Sequence, residues 1–406
     1  MDKAEIRVRI LANMAQAGWE VQEVRLFPDV HSGWRIAVIS PNFAGISRDQ
    51  RRAVALDGLD IEVQWVDLIT ADERTWAGAL PSDDEPDQLP LWPESLARGD
   101  FGKVADVRFP SLLDEDLPPP IVVTFYSLRG GVGRSTALAY TGQILATEGR
   151  KVVCVDLDLE APGLAALFGK ENEVQEEFGV VEALLAIDRG DKPDLSRHLI
   201  RVSEDHDLYL VPAGPPSAEY ARKLALLDPE AWYREERNPL RELLVRISET
   251  LPFKPDVILL DSRTGITRLS GPLLFDLADL AFIVFFPHPQ ARAGTGALVR
   301  ALLASRTRRG MDLAPEPRFI VSPVPASKIP EVVQRYRHRA AEWIDEWIRQ
   351  AGGVRPEGWS EGDSTHFIAY QELLAVADGV LSEEDARRSF RPVAEWVLKF
   401  LPTTQE

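Results

Sequence analysis

Cysteine is almost missing from this 406-residue chain, which carries Cys154 alone. One thiol excludes an intrachain disulfide framework and a cysteine metal cluster, and within the apolar run KVVCVD it reads as a small strand residue. Long hydrophobic runs are also missing. The apolar stretches are broken by charge well short of the ~20 residues that span a bilayer. The opening MDKAEIRVRI has no signal-peptide pattern, so a soluble, cytoplasmic protein is expected. Positive charge is in deficit, with 46 Lys and Arg against 64 Asp and Glu and a net charge of -18. Such a field repels phosphate backbones unless a local basic patch overrides it. The balance argues against nucleic acid and for a protein partner.

What is present falls into three zones. Residues 1–80 alternate an amphipathic helix, AEIRVRILANMAQAGW, with strand-like RIAVIS and IEVQWVDLI around a polar helix, SRDQRRAVALDGL. This predicts a small α+β domain. Residues 81–119 are dense in proline and acid, as in PSDDEPDQLPLWPESL and LLDEDLPPP, and read as an extended linker. Residues 120–402 hold IVVTFYS, KVVCVDLD, LYLVPAG, DVILLDS, LAFIVFF, RFIVSPV and HFIAY, spaced by helical segments. Runs this continuously apolar suit a mostly parallel sheet covered on both faces, so an α/β, doubly wound domain is expected.

The first of these strands leads into SLRGGVGRST, residues 127–136. A glycine-rich turn between a buried strand and a helix lets backbone N–H groups converge on phosphate oxygens at the positive end of the helix. Gly130, Gly131 and Gly133 supply the turn, with Val132 between them. Arg134 is placed to reach terminal phosphates, Ser135 to offer a hydroxyl to Mg2+, and Thr136 to donate to an inner phosphate. Glycine spacing alone fits equally well a flexible turn with solvent-facing arginines. Three carboxylates tip the balance: Asp156 and Asp158 end one strand in VCVDLDLEAPGL, and Asp261 ends another in DVILLDSRTG. Open α/β sheets bind ligands at strand C-termini, and carboxylates there hold a metal-bound water or orient an attacking one. A strand-end aspartate also commonly caps the next helix, an alternative that applies most to Asp156.

At this point RGGVGRS resembles the deviant phosphate-binding motif of the MinD/ParA family of P-loop ATPases, Lys-Gly-Gly-x-x-Lys-Ser/Thr, with both lysines replaced by arginine. DLDLEAPGL resembles the family's switch motif, DVILLDSRTG its Walker B strand, and LADLAFIVFFPHPQARAGTGAL its alanine-aspartate strand and following loop. The match runs from about Pro120 to Leu401. It implies ATP and Mg2+ as cofactors and a homodimer that sandwiches nucleotide. It further implies that Arg129 reaches the phosphates of the second chain, that Arg134 takes the P-loop lysine role, that Ser135 and Asp261 surround the metal with Asp156 in support, and that Asp158 positions the hydrolytic water. Arginine keeps its charge and grips phosphate with two N–H groups but is larger and planar, so binding should survive better than fast hydrolysis. Ser322-Pro323 stands where relatives often have the asparagine that reads the base.

The N-terminal RIAVISPNFAGISRDQRR, continued by VQWVDLITADERTWAGAL, resembles a BolA-type domain. Arg52 falls where that family has a cluster-ligating histidine, and His31 precedes it in a loop. The run Arg48, Arg51 and Arg52 reads as a solvated helix face, with nucleic-acid contact as the alternative. The leading expectation is an ATP-dependent dimerisation switch that hydrolyses slowly and regulates a protein partner or assembly, as in bacterial defence or signalling. Its competitors are a non-hydrolysing scaffold and a ParA-like DNA-partitioning ATPase. The terminal FRPVAEWVLKFL is amphipathic, but without a lysine-rich face it reads as a closing helix and not as a membrane anchor.

Overall fold

A computed structural model describes residues 3–28, 34–61, 63–71, 120–232, 238–251, 253–304, 307–309, 312–351, 364–377, 379–380 and 384–401. His31 and the linker expected over residues 81–119 lie outside the described residues. The chain forms two compact units, the first carrying residues 3–71 and the second residues 120–401 of the described chain.

In the first unit, α1 (Lys3–Gln16) precedes β1 (Glu23–Pro28) and β2 (Trp34–Ile39), then α2 (Arg48–Ala55) and β3 (Val63–Ile69). The sheet order is β1-β2-β3, with β2 antiparallel to β1 and parallel to β3. Ile6, Ile10 and Met14, four residues apart on one face of α1, are fully buried with Leu26, Ile36 and Val38. Ser47 accepts from the Gln50 N–H and caps α2. The strand β1 escapes sequence patterning because Glu23 and Arg25, which pair at 2.6 Å, dilute its apolar signal. The basic run also resolves differently from a uniformly solvated face. Arg51 is buried, donating to the carbonyls of Leu68 at 2.7 Å and Ile46 at 2.9 Å, with its guanidinium 5.3 Å from the Phe43 ring centre. It ties α2 to β3, whereas Arg52 is exposed.

The second unit is built on β4 (Ile121–Tyr126), β5 (Val152–Leu157), β6 (Ile200–Arg201), β7 (Leu208–Val211), β8 (Val257–Ser262), β9 (Leu280–Phe285), β12 (Glu316–Val324) and β13 (Thr365–Ala369). A separate short hairpin, β10 (Thr307–Arg309) with β11 (Asp312–Ala314), precedes β12. The eight strands lie in the order β13-β12-β9-β4-β8-β5-β7-β6. All neighbours are parallel except β6, which runs antiparallel to β7 at the edge. Each strand segment anticipated from apolar runs is therefore in this sheet, and the α/β, mostly parallel expectation holds.

Both faces of the sheet are covered, as continuous apolar strands require. On one side α3 (Arg134–Thr147) packs against the last helix, α10 (Glu384–Leu398), through Tyr140 stacked on Phe390 at 4.5 Å. Phe282 of β9 turns to that side, 5.9 Å from Trp396. Phe285 turns to the other, 5.5 Å from Trp347 of α9 (Pro330–Gln350), which packs beside α8 (Pro289–Ala304). The closing helix thus buries Phe390, Val393, Ala394 and Val397 in the core. Cys154 is buried in the same core cluster, in its expected structural role. No helix among the described residues is long and apolar enough to cross a membrane.

Candidate functional site

Sheet register brings the site together. Asp261 at the end of β8 lies level with Phe125 of β4 on one side and Asp156 of β5 on the other. The phosphate-type loop leaves β4 two residues beyond Phe125, so loop and carboxylates meet above the strand ends. Gly131 and Gly133 adopt φ of 75° and 79°, a left-handed backbone that side chains disfavour, and Gly133 starts α3 directly. Val132 is buried, while Arg129, Gly130, Gly131 and Gly133 are exposed and Ser135 and Thr136 half-buried.

Arg134 does not face solvent. Only 6% exposed, it donates from Nε to Asp261 Oδ1 at 2.7 Å and from Nη2 to Asp158 Oδ2 at 2.8 Å and Ser135 Oγ at 3.1 Å. Burial works against its charge, but Asp261 and Asp158 outweigh that and hold it protonated. Among the described residues, Arg134 Nη1 and Asp158 Oδ1 are buried without a hydrogen-bond partner. Arg129, by contrast, extends to the Gln290 side chain at the start of α8.

Asp156, expected in support of the metal, has another task. Its Oδ1 accepts from the Asp158 N–H at 3.2 Å, and its Oδ2 accepts from Gly163 and Leu164, each at 3.1 Å. It organises the loop after β5 and caps α4 (Leu164–Leu167), the role that strand-end aspartates often play. Burial, with Asp261 adding to it, pushes the Asp156 carboxyl up to about 7 against the pull of these three N–H groups. An acid raised in the folded state costs stability as pH climbs from the ordinary carboxylate range through 7. Asp156→Asn loses backbone hydrogen bonds but also escapes this cost, because an amide does not ionise. Its deficit in melting temperature against the parent protein should therefore be largest near pH 5 and shrink toward pH 8; a deficit that widens with pH would refute the assignment.

Several contributors carry weaker sequence signals. Arg263, two residues after Asp261, pairs with Glu160, two residues after Asp158, at 2.5 Å. This outer ion pair links the same two loops that Arg134 links inside. Tyr126 donates to the Gly265 carbonyl at 3.2 Å, and Tyr220 to that of Leu159 at 2.6 Å, anchoring each loop from below. Neither tyrosine lies in a motif, so only the fold reveals them. Beside the loop, Gly131, Gly133, Thr136, Ser322, Tyr370 and Gln371 border a cavity of about 160 Å³, room for a planar ring system. Ser322-Pro323, a cis peptide, forms part of its wall.

No protein-family model matches the chain. Among curated proteins it is similar to the septum site-determining protein MinD of Helicobacter pylori, 28% identical over 195 residues, covering 48% of this chain and 63% of that protein. The chain therefore spans less than two thirds of this relative. Among solved structures it is similar to MinD complexed with Mg-ADP from Pyrococcus horikoshii, at 19% identity and a TM-score of 0.44 over 69% of this chain and 97% of that one. It is also similar to pNOB8 ParA bound to nonspecific DNA, at 16% identity and a TM-score of 0.44 over 69% and 98%. The eight-stranded, mostly parallel sheet, the glycine loop after β4 and the similarity to MinD together give the second unit a MinD/ParA-type P-loop ATPase fold.

Proposed function

We propose that the second unit binds ATP with Mg2+ and acts as a slow, nucleotide-dependent dimerisation switch on a protein partner. The observation that carries this reading is the convergence of a left-handed glycine loop, the N-terminus of α3 and the carboxylates Asp158 and Asp261, with a base-sized cavity alongside. Backbone N–H groups of Gly130 to Gly133 would cradle the phosphates, and Thr136 would donate to an inner one. Ser135 and Asp261, both hydrogen-bonded to Arg134, fit the oxygen donors that Mg2+ prefers. When bound, the metal supplies positive charge against the phosphates. Asp158, whose Oδ1 is buried and unpartnered, would orient the attacking water. Arg129, exposed and held by Gln290, would exchange to the phosphates of a second copy.

The N-terminal unit, read as BolA-like, would present or sense the partner. A non-hydrolysing scaffold is the second reading, favoured by the engagement of Arg134 with the very carboxylates that hydrolysis needs. Phosphate release from ATP with Mg2+ separates the two. Asp158→Ala should lower it by about 100-fold or more, in the range for loss of a group that handles the reacting water, while Glu219→Ala on the surface should not. Nucleotide binding without phosphate release in the parent protein would establish the scaffold instead. Light scattering with ATP and Mg2+ should show a dimer, and a monomer at high concentration would refute the sandwich.

A further inference from the structure

Arg134 lies among the groups that the reading above assigns to the metal and to the attacking water. Its Nε and Nη2 bridge Asp261 and Asp158, with Nη2 also 3.5 Å from the second Asp261 oxygen, and touch the Ser135 hydroxyl. A guanidinium in this position neutralises two buried carboxylates that would otherwise repel each other, as a bound cation would. A divalent ion brought to the same oxygens would meet a fixed positive charge at hydrogen-bond distance from them. The two cannot share the carboxylates unless a polyanion offsets the excess charge.

The local hydrogen bonding is incomplete on both sides of this pair. Arg134 Nη1 and Asp158 Oδ1 are buried without partners, although an unmade bond to a charged group is costly. A planar guanidinium that bridges two carboxylates from different strands leaves its third nitrogen unused, and phosphate oxygens in the adjoining glycine loop would supply the acceptor it lacks. The outer pair Arg263–Glu160 spans the same two loops, so withdrawal of Arg134 need not release them.

Building on the nucleotide reading, we propose that Arg134 is an exchangeable counter-cation. In the nucleotide-free protein it occupies Asp158 and Asp261 and excludes Mg2+; incoming phosphates draw it away, freeing Asp261 for the metal and Asp158 for the attacking water. Magnesium binding thereby becomes conditional on nucleotide, a coupling that a lysine with a single point charge would enforce less completely.

The test is magnesium alone, without nucleotide, on the full-length chain. The parent protein should show no change in melting temperature between MgCl2 and NaCl of equal ionic strength. Arg134→Met, which leaves the carboxylates unpaired, should melt lower and recover in MgCl2. By calorimetry it should bind Mg2+ at least about tenfold tighter than the parent, within the usual range of coupling between sites. Equal magnesium binding by both proteins, or no recovery of the variant, would overturn the exchange. Should Arg134→Met fail to fold, Asp158→Asn serves: with one leg of the clasp weakened, ATP in EDTA should bind at least about threefold tighter than to the parent. Equal or weaker binding would overturn the proposal. Failure of the nucleotide reading is seen separately, as no ATP binding by the parent protein with Mg2+.

Discussion

Asp261→Ala should cost the protein about 3 kcal/mol of stability in denaturant unfolding, the lower end for breaking a buried ion pair, because Asp158 remains as a partial partner for Arg134. The cost comes less from the lost attraction than from what stays behind. Arg134 is only 6% exposed where it sits, and its Nη1 already lacks a partner. A loss below about 1 kcal/mol would show that Arg134 reaches solvent in the ground state and that the clasp is marginal, as surface pairs are. Combining Asp261→Ala with Arg134→Met should recover much of the loss, since removing both charges avoids stranding either. The same substitution should abolish magnesium-dependent nucleotide binding, which the stability effect alone would not do at low temperature.

Gly179→Ala should be comparably damaging, at a position with no role in phosphate contact. Gly179 precedes α5 (Val180–Asp188) with φ of 120°, and a Cβ there would lie 2.8 Å from the Pro212 carbonyl oxygen and 2.9 Å from that of Ala213. These are backbone atoms that cannot swing aside. The Val180 and Val181 N–H groups donate to the same two carbonyls, at 2.8 and 3.1 Å, so relieving the clash breaks both bonds. Backbone strain of ~1–3 kcal/mol adds to the loss of these bonds, and the melting temperature should fall by roughly 10 °C on the scale expected for a domain of this size. The damage should also reach the site. Residues 212–214 support Tyr220, whose hydroxyl holds the Leu159 carbonyl next to Asp158. Thermal unfolding with and without nucleotide tests both parts; a variant that melts like its parent would mean that the 212–214 segment yields easily.

Much of the architecture was legible in the residues because burial on both sides of a parallel sheet leaves a direct mark, namely near-continuous apolar runs such as VVCVDL and VILLDS. The strands that escaped notice are those that burial marks weakly. Strand β6 is two residues at an edge, the β10–β11 hairpin is short and charged, and β1 carries Glu23 and Arg25. The site was legible to a similar degree and for a different reason. Phosphate chemistry demands glycines at a strand-helix turn and carboxylates at strand ends, and both leave fixed residue types in order along the chain.

Residue type and order thus determined the parallel α/β unit, the loop of residues 127–136 and the neighbourhood of Asp156, Asp158 and Asp261. Tertiary structure alone decided what each charge does. Asp156 turns to three backbone N–H groups while Asp158, two residues on, turns to Arg134. Arg51 is a buried tie between α2 and β3 while its neighbour Arg52 is exposed. Arg134 folds onto carboxylates from two other strands. Apolar periodicity and glycine turns act over a few residues and so are written locally. The partner of a charge is set by which strands lie side by side, and β4 and β5, consecutive around one helix, meet only through β8, a hundred residues further along.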